Sequence, residues 1–209
     1  MIGNALLEVK DLEIRFGGVV AAAGINIKLY EGRNLAIIGP NGAGKTTFLN
    51  LCSGYLKPHA GRIFFAAQGR VRSPFTPLGR IPQRDAMMHL LEMVKCAHLA
   101  DRSVAVLPEG QRKLVDIAIA LALKPRLLFM DEPTSGVASS EKFEVLEIIA
   151  KALAEANVTA VFVEHDMGIV DRFADEVAVW NRGEVLFRGA PGDVLNHPDV
   201  IRDVIGEEI

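Results

Sequence analysis

Gly39-Pro40-Asn41-Gly42-Ala43-Gly44-Lys45-Thr46 decides the fold. The stretch meets G-x-x-x-x-G-K-[ST] at every fixed position. An apolar, β-branched run, Leu35-Ala36-Ile37-Ile38, stands before it, and helical periodicity from Thr46 to Leu56 follows. In a strand–loop–helix of this kind the glycines let backbone N–H groups curl around phosphate oxygens without Cβ clashes. The helix N-terminus adds its partial positive charge. Lys45 is then expected to reach the β- and γ-phosphates, and the Thr46 hydroxyl to coordinate Mg²⁺.

Outward from the loop, short apolar runs alternate with helical segments. Leu127–Met130, Val158–Val163 and Val177–Trp180 read as further buried strands. Leu114–Leu123, Glu141–Ala156 and Gly168–Ala174 read as helices between them. Continuous apolar strands alternating with helices indicate a mainly parallel sheet covered on both faces. Leu6 to Phe16 instead alternates, with one slip near Asp11, and Ile25, Ile27 and Leu29 alternate too. These predict antiparallel strands. Asn181-Arg182-Gly183 signals a hairpin, and Asp193 is expected to open a last short helix interrupted by His197-Pro198. Arg70 to Pro82 reads as loop, and Asp85 to His98 as a Met-rich helix. The predicted class is α/β: a P-loop core of parallel strands with flanking helices, an N-terminal antiparallel β subdomain, and a small helical insertion. Residues 1–209 form one domain in this reading, with the insertion at 84–106.

Composition agrees with a globular chain. Of 209 residues 50% are hydrophobic and 23% charged, which excludes disorder, collagen and coiled coil. A net charge of −3 gives no basic footprint for nucleic acid. Cys52 and Cys96 form no C-x-x-C pair, which makes a reducing compartment the expectation. No run reaches the ~18 apolar residues of a membrane span, and no secretory signal is legible, so a cytoplasmic chain is expected. Cys52 is expected to be buried. His59, His89, His98 and His197 show no metal-ligand spacing and are expected at the surface.

A second site element follows the phosphate loop. Leu127–Met130 ends in Asp131-Glu132, which places two carboxylates at the C-terminal tip of a buried strand, where open α/β sheets bind ligands. Asp131 is expected to hold Mg²⁺, and Glu132 to polarise an attacking water.

Taken together, these residues resemble the nucleotide-binding subunit of ABC transporters. Gly39–Thr47, which adds Thr47 to the loop, resembles Walker A, and Leu127–Glu132 resembles Walker B. His165 follows a strand run where the family has its switch histidine, 33 positions after Glu132. Gln83 matches the Q-loop glutamine, a ligand for Mg²⁺ and the γ-phosphate. Phe16 matches the aromatic that stacks on adenine, although its place in the alternation also allows plain core. Leu107-Pro108-Glu109-Gly110-Gln111 stands where the family has LSGGQ. The resemblance implies ATP and Mg²⁺ as cofactors, with catalysis by Glu132, His165 and Lys45. It also implies a homodimer, or a heterodimer with a paralogous ATPase, in which Leu107, Gly110 and Gln111 complete the partner's site.

Ile14–Val20, LPEGQ, DEPTSGV and EHDMGIVDRFADEV are most similar to the ATPases of branched-chain amino acid, amide or urea importers. The partners then implied are membrane permeases and a periplasmic solute-binding protein, and the location implied is the inner face of the membrane. Lipid or lipopolysaccharide export and a non-transport regulatory switch are the alternatives. Three departures stand out. Pro108 and Glu109 replace Ser and Gly, which removes a hydroxyl donor and adds a carboxylate. Ala138 replaces the D-loop Asp, and only 24 positions separate Gln83 from Leu107, which implies a reduced helical subdomain. The Met and Leu residues at 87–94 suit either a partner groove or packing on the core.

Overall fold

The computed structural model describes residues 5–65 and 84–202. Gln83 and the stretch Arg70–Pro82 lie outside them. The chain divides into two compact units. The first takes its described residues from 5–65, 129–133 and 159–202, and the second from 84–128 and 134–158.

In the first unit, strands β1 (Ala5–Phe16), β2 (Val19–Tyr30) and β4 (Ala60–Phe65) form an antiparallel sheet in the order β2-β1-β4. Its pattern is the one read from sequence. Leu7, Val9, Leu12 and Ile14 on β1 are buried, as are Ile25, Ile27 and Leu29 on β2. The slip is a bulge: Val9 pairs with Ile27, but Leu12 pairs with Ile25. Asp11 adopts φ +47 there, and Asn26 holds it through reciprocal 3.1 Å hydrogen bonds. The extra residue keeps both halves of β1 facing one core despite the break in period.

A five-stranded sheet carries the site, in the order β5-β6-β3-β7-β8. It comprises β3 (Leu35–Ile38), β5 (Leu127–Asp131), β6 (Thr159–Val163), β7 (Glu176–Asn181) and β8 (Glu184–Gly189). β3 runs parallel to β6 and β7, and β8 returns antiparallel. All of β3 and β6 is buried, as continuous apolar runs require of strands covered on both faces. Helix α1 (Lys45–Cys52) follows the glycine loop. It stops at Cys52 rather than near Leu56, because Gly54 takes φ +79. Cys52 is only partly covered, not buried as expected.

The second unit holds α2 (Arg84–Met93), α3 (Glu109–Ala122) and α4 (Lys142–Glu155). The buried residues of α3, Gly110, Leu114, Ile117, Ala118 and Leu121, recur at helical spacing. The helix therefore begins five residues before the Leu114 expected from apolar periodicity. No residue of α2 is buried, and α2 ends at Met93 rather than His98. Short 3₁₀ turns at Ala97–Leu99 and Val104–Val106 follow it.

In the first unit again, α5 (Met167–Phe173) starts at Asp166, whose carboxylate accepts from the Gly168 and Ile169 amides. The last helices are α6 (Pro191–Leu195) and α7 (Pro198–Val200). The break at His197-Pro198 is present, but the first segment opens at Pro191, not Asp193. His197 is half-buried rather than superficial. Its Nδ1 accepts from the Asp199 amide at 3.3 Å, and its ring lies 4.2 Å from that of Phe187. Among the described residues no helix is long and apolar enough to cross a membrane.

Candidate nucleotide site

Three strand tips of one sheet build the site. β3 ends in the loop Gly39–Gly44, β5 ends at Asp131, and β6 runs into Glu164-His165. Since β5, β6 and β3 are successive neighbours, residues far apart in sequence meet at one edge.

Main chain fixes the loop from outside. Gly39 has φ +147, and a Cβ there would lie 2.0 Å from the Trp180 carbonyl oxygen. Gly44 has φ +101, and a Cβ there would lie 2.1 Å from the Ala21 carbonyl oxygen. At both positions the dihedral and the space admit glycine alone. Gly44 is also the N-cap of α1 and offers no side-chain cap. The first-turn amides of α1 thus face the loop with the helix's partial positive charge behind them.

Lys45 is 7% exposed. Its Nζ donates to the Gly39 carbonyl at 2.5 Å and to the Pro40 carbonyl at 2.9 Å. Burial pushes its pKa below the ordinary lysine value, against the opposing pull of Glu132 and Asp131. An ammonium in this position favours an arriving anion, because the anion supplies the counter-charge that burial withholds. Ala43 is buried within the loop, Asn41 is exposed, and Thr47 is half-buried.

Opposite the loop, Thr46 Oγ1 donates to Asp131 Oδ2 at 2.7 Å. A hydroxyl and a carboxylate so close are hard oxygen donors of the kind Mg²⁺ takes, and Mg²⁺ keeps waters and phosphate oxygens for its other positions. Among the described residues no cluster of three or more His, Cys, Asp or Glu side chains is placed to hold a metal. An ion here would rely on Thr46, Asp131 and the ligand's own oxygens.

Glu132 follows in a left-handed conformation, φ +49, with its amide donating to the Val163 carbonyl at 3.1 Å. The turn brings Glu132 Oε1 to 3.2 Å from His165 Nε2. The structure therefore unites Lys45, Thr46, Asp131, Glu132 and His165. Phe16, last residue of β1, is 49% exposed, so it is not core.

The signature segment lies in the second unit. Leu107 is buried there, and Gln111 is half-buried. Pro108 is the N-cap of α3 without a side-chain acceptor, and Glu109 opens the first turn. Glu109 Oε2 sits 3.2 Å from Arg112 Nη2, and a Cβ on Gly136 would meet Glu109 Cγ at 3.2 Å. Gly110 packs closely: a Cβ there would lie 3.2 Å from Val145 Cγ2. Ala138 is exposed, and its carbonyl accepts from the Glu141 and Lys142 amides at the start of α4.

Sequence reasoning missed the role of Trp180, whose carbonyl abuts Gly39. Its ring centroid lies 4.8 Å from that of Phe48 on α1. The available signal was a single Trp, the only one in the chain, ending an apolar strand run.

Comparison with known proteins shows the family. The family described as "ABC transporter" matches residues 22–135. The high-affinity branched-chain amino acid transport ATP-binding protein BraF of Pseudomonas aeruginosa is 34% identical, over 99% of this chain and 100% of its own. LivG of Escherichia coli K12, described in the same words, is 31% identical over the same shares. The BraF alignment runs over 254 positions against 209 residues here, so at least 45 of its positions have no counterpart in this chain. Among solved structures, the ADP conformation of MJ1267, an ATP-binding cassette of an ABC transporter, superimposes with a TM-score of 0.81 at 27% identity. That match covers 98% of this chain and 100% of the other. The chain belongs to the ABC transporter family as an ATP-binding subunit with ATPase activity.

Proposed function

We propose that this ATPase powers import of a small solute resembling a branched-chain amino acid, through separate membrane permease subunits at the inner face of the membrane. Similarity to BraF and LivG along nearly the whole chain carries this reading and favours import over lipid export or a regulatory switch.

The site residues take the following parts. The loop amides and Lys45 bind the triphosphate, with Phe16 stacked on the base. Thr46 and Asp131 would hold Mg²⁺, joined by Gln83. Bound MgATP supplies the transferable phosphoryl group and a metal charge that offsets its oxygens. Glu132 accepts a hydrogen bond from the attacking water and orients it. His165, whose Nε2 lies 3.2 Å from Glu132 Oε1, holds Glu132 in place until nucleotide arrives and then turns its one N–H toward the γ-phosphate position. Two copies, or a copy and a paralogue, face each other, and the segment Leu107–Gln111 of each completes the other's site. A reduced helical part lies within 84–106, where 24 positions separate Gln83 from Leu107. A periplasmic solute-binding protein delivers the solute.

Affinity recovery of the tagged chain from detergent-solubilised membranes tests this. Polytopic permease chains should come with it, and the ATPase activity of the recovered complex in vesicles should rise with leucine-loaded binding protein. Recovery of water-soluble partners alone refutes the transport role.

A further inference from the structure

We propose that Gly183, in the turn between β7 and β8, is a positioning residue for the phosphate loop and acts through one main-chain hydrogen bond. The proposal rests on reading residues 39–46 as the triphosphate site.

The Gly183 amide donates to the Ala43 carbonyl at 2.9 Å. The described residues contain no cis peptide, so the Ala43–Gly44 unit is planar and trans. In such a unit the C=O and N–H point in opposite directions. Holding the Ala43 oxygen toward Gly183 therefore aims the Gly44 N–H the other way. Gly44 caps α1, and its amide belongs to the set that would meet phosphate oxygens. One hydrogen bond from outside the loop thus sets the direction of a donor inside it.

Gly183 cannot drift, because its own carbonyl accepts from the Ala23 amide on β2 at 2.9 Å. Asn181 pairs with Glu184 across the turn. Both intervening residues are left-handed, Arg182 at φ +49 and Gly183 at φ +82, which is the type I′ pattern whose twist suits a tight hairpin. A Cβ on Gly183 would lie 3.1–3.2 Å from the Ala21 carbonyl carbon, the Val20 oxygen and the Ala22 nitrogen. All three are main-chain atoms of one strand, which cannot rotate aside. A side chain at 183 therefore forces a shift of a few tenths of an ångström and strains the backbone at φ +82, which loosens the amide's bond to Ala43. Trp180 on the same hairpin blocks Gly39 and packs on Phe48, so β7 and its turn grip the loop at its start, near its end and at the helix behind it.

The test compares the full chain with Gly183→Ala, Val177→Ala and Arg182→Gly, using calorimetric titration with MgATP and thermal melts. Gly183→Ala should weaken MgATP binding by at least about tenfold. Val177→Ala, a cavity in buried β7, should lower Tm while keeping affinity within about twofold. Arg182→Gly, which relieves a left-handed arginine and leaves the Ala43 bond intact, should retain affinity and melt no lower than the parent. Should Gly183→Ala fail to fold, replacing the residue 183 amide by an ester removes the N–H and adds no atom. The same loss of affinity is expected of it. A folded Gly183→Ala or ester protein that binds like the parent overturns the proposal, as does an equal loss in Val177→Ala. A folded parent that binds no MgATP overturns the triphosphate reading, and this inference with it.

Discussion

Lys45→Met keeps an unbranched chain of similar length and removes the charge. In the parent, the ammonium makes two hydrogen bonds, at 2.5 Å to Gly39 and 2.9 Å to Pro40. Bonds from a charged group contribute about 1.5–3 kcal/mol each. Burial opposes that gain and depresses the lysine pKa. The net loss without nucleotide should be about 1–3 kcal/mol. With nucleotide at a hundred times its Kd, binding stabilises the parent by about 2.7 kcal/mol. For a chain of this size that is a Tm rise of roughly 5–11 °C. The variant should show none of it.

Protonation adds a second signature. The folded state binds the Lys45 proton less readily than the unfolded chain. Below the depressed pKa both states are protonated, and the penalty is constant. As pH rises from there to the ordinary 10.5, the folded state loses its proton first, so the parent gains stability relative to the variant. Thermal melts of both proteins with and without MgATP read the first effect, and urea unfolding in steps from pH 8 to 11 reads the second. An undiminished nucleotide-induced Tm rise in the variant, or a parent–variant gap that falls with pH, would refute the reasoning.

Three further outcomes follow from the same contacts. Gly39→Ala sets a Cβ 2.0 Å from the Trp180 oxygen, so it should cost more than about 2 kcal/mol in urea unfolding and abolish nucleotide binding. Glu132→Gln should bind MgATP, hydrolyse it about 100-fold or more slowly, and accumulate as a closed pair on size exclusion; turnover at the parent's rate would remove Glu132 from the chemistry. Burial pushes the Cys52 thiol up to about 12, so despite partial access it should react with a disulfide reagent far more slowly at pH 8 than a free thiol does.

Much of the framework was legible because burial writes itself into sequence. Leu35–Ile38 is apolar throughout since β3 is covered on both faces, and the break at Asp11 shows because each half of β1 keeps its own inward set. β4 escaped notice for the opposite reason. None of Ala60–Phe65 is fully buried, so no face imposes a period, and its register comes from β1 about fifty residues earlier. The end of α2 was hidden by residue type. Lys95 takes φ +57 where glycine is usual, while Lys95 and Cys96 amides donate back to Glu92 and Leu91. That is a Schellman ending without its usual glycine. The start of α3 was hidden because Gly110, too small to register as apolar, is the first residue to pack inward.

Within the site, each motif could be read alone, but not the distances between them. That Glu132 and His165 touch, and that Thr46 meets Asp131, follows from the strand order β5-β6-β3, which no local pattern encodes. The hairpin's hold on the loop runs through main-chain atoms of Trp180 and Gly183, and main-chain contacts leave little trace in side-chain identity.

The backbone at Glu132 sets chemistry and durability against each other. A glutamate at φ +49 occupies a region that glycine enters freely. Glu132→Gly would therefore relax the strand end and give a hardier protein, by about 0.5–1 kcal/mol, that no longer orients water. Selection for thermal resilience alone would drift toward that dead enzyme, so any stabilised version of this ATPase has to be screened for turnover as well as for melting.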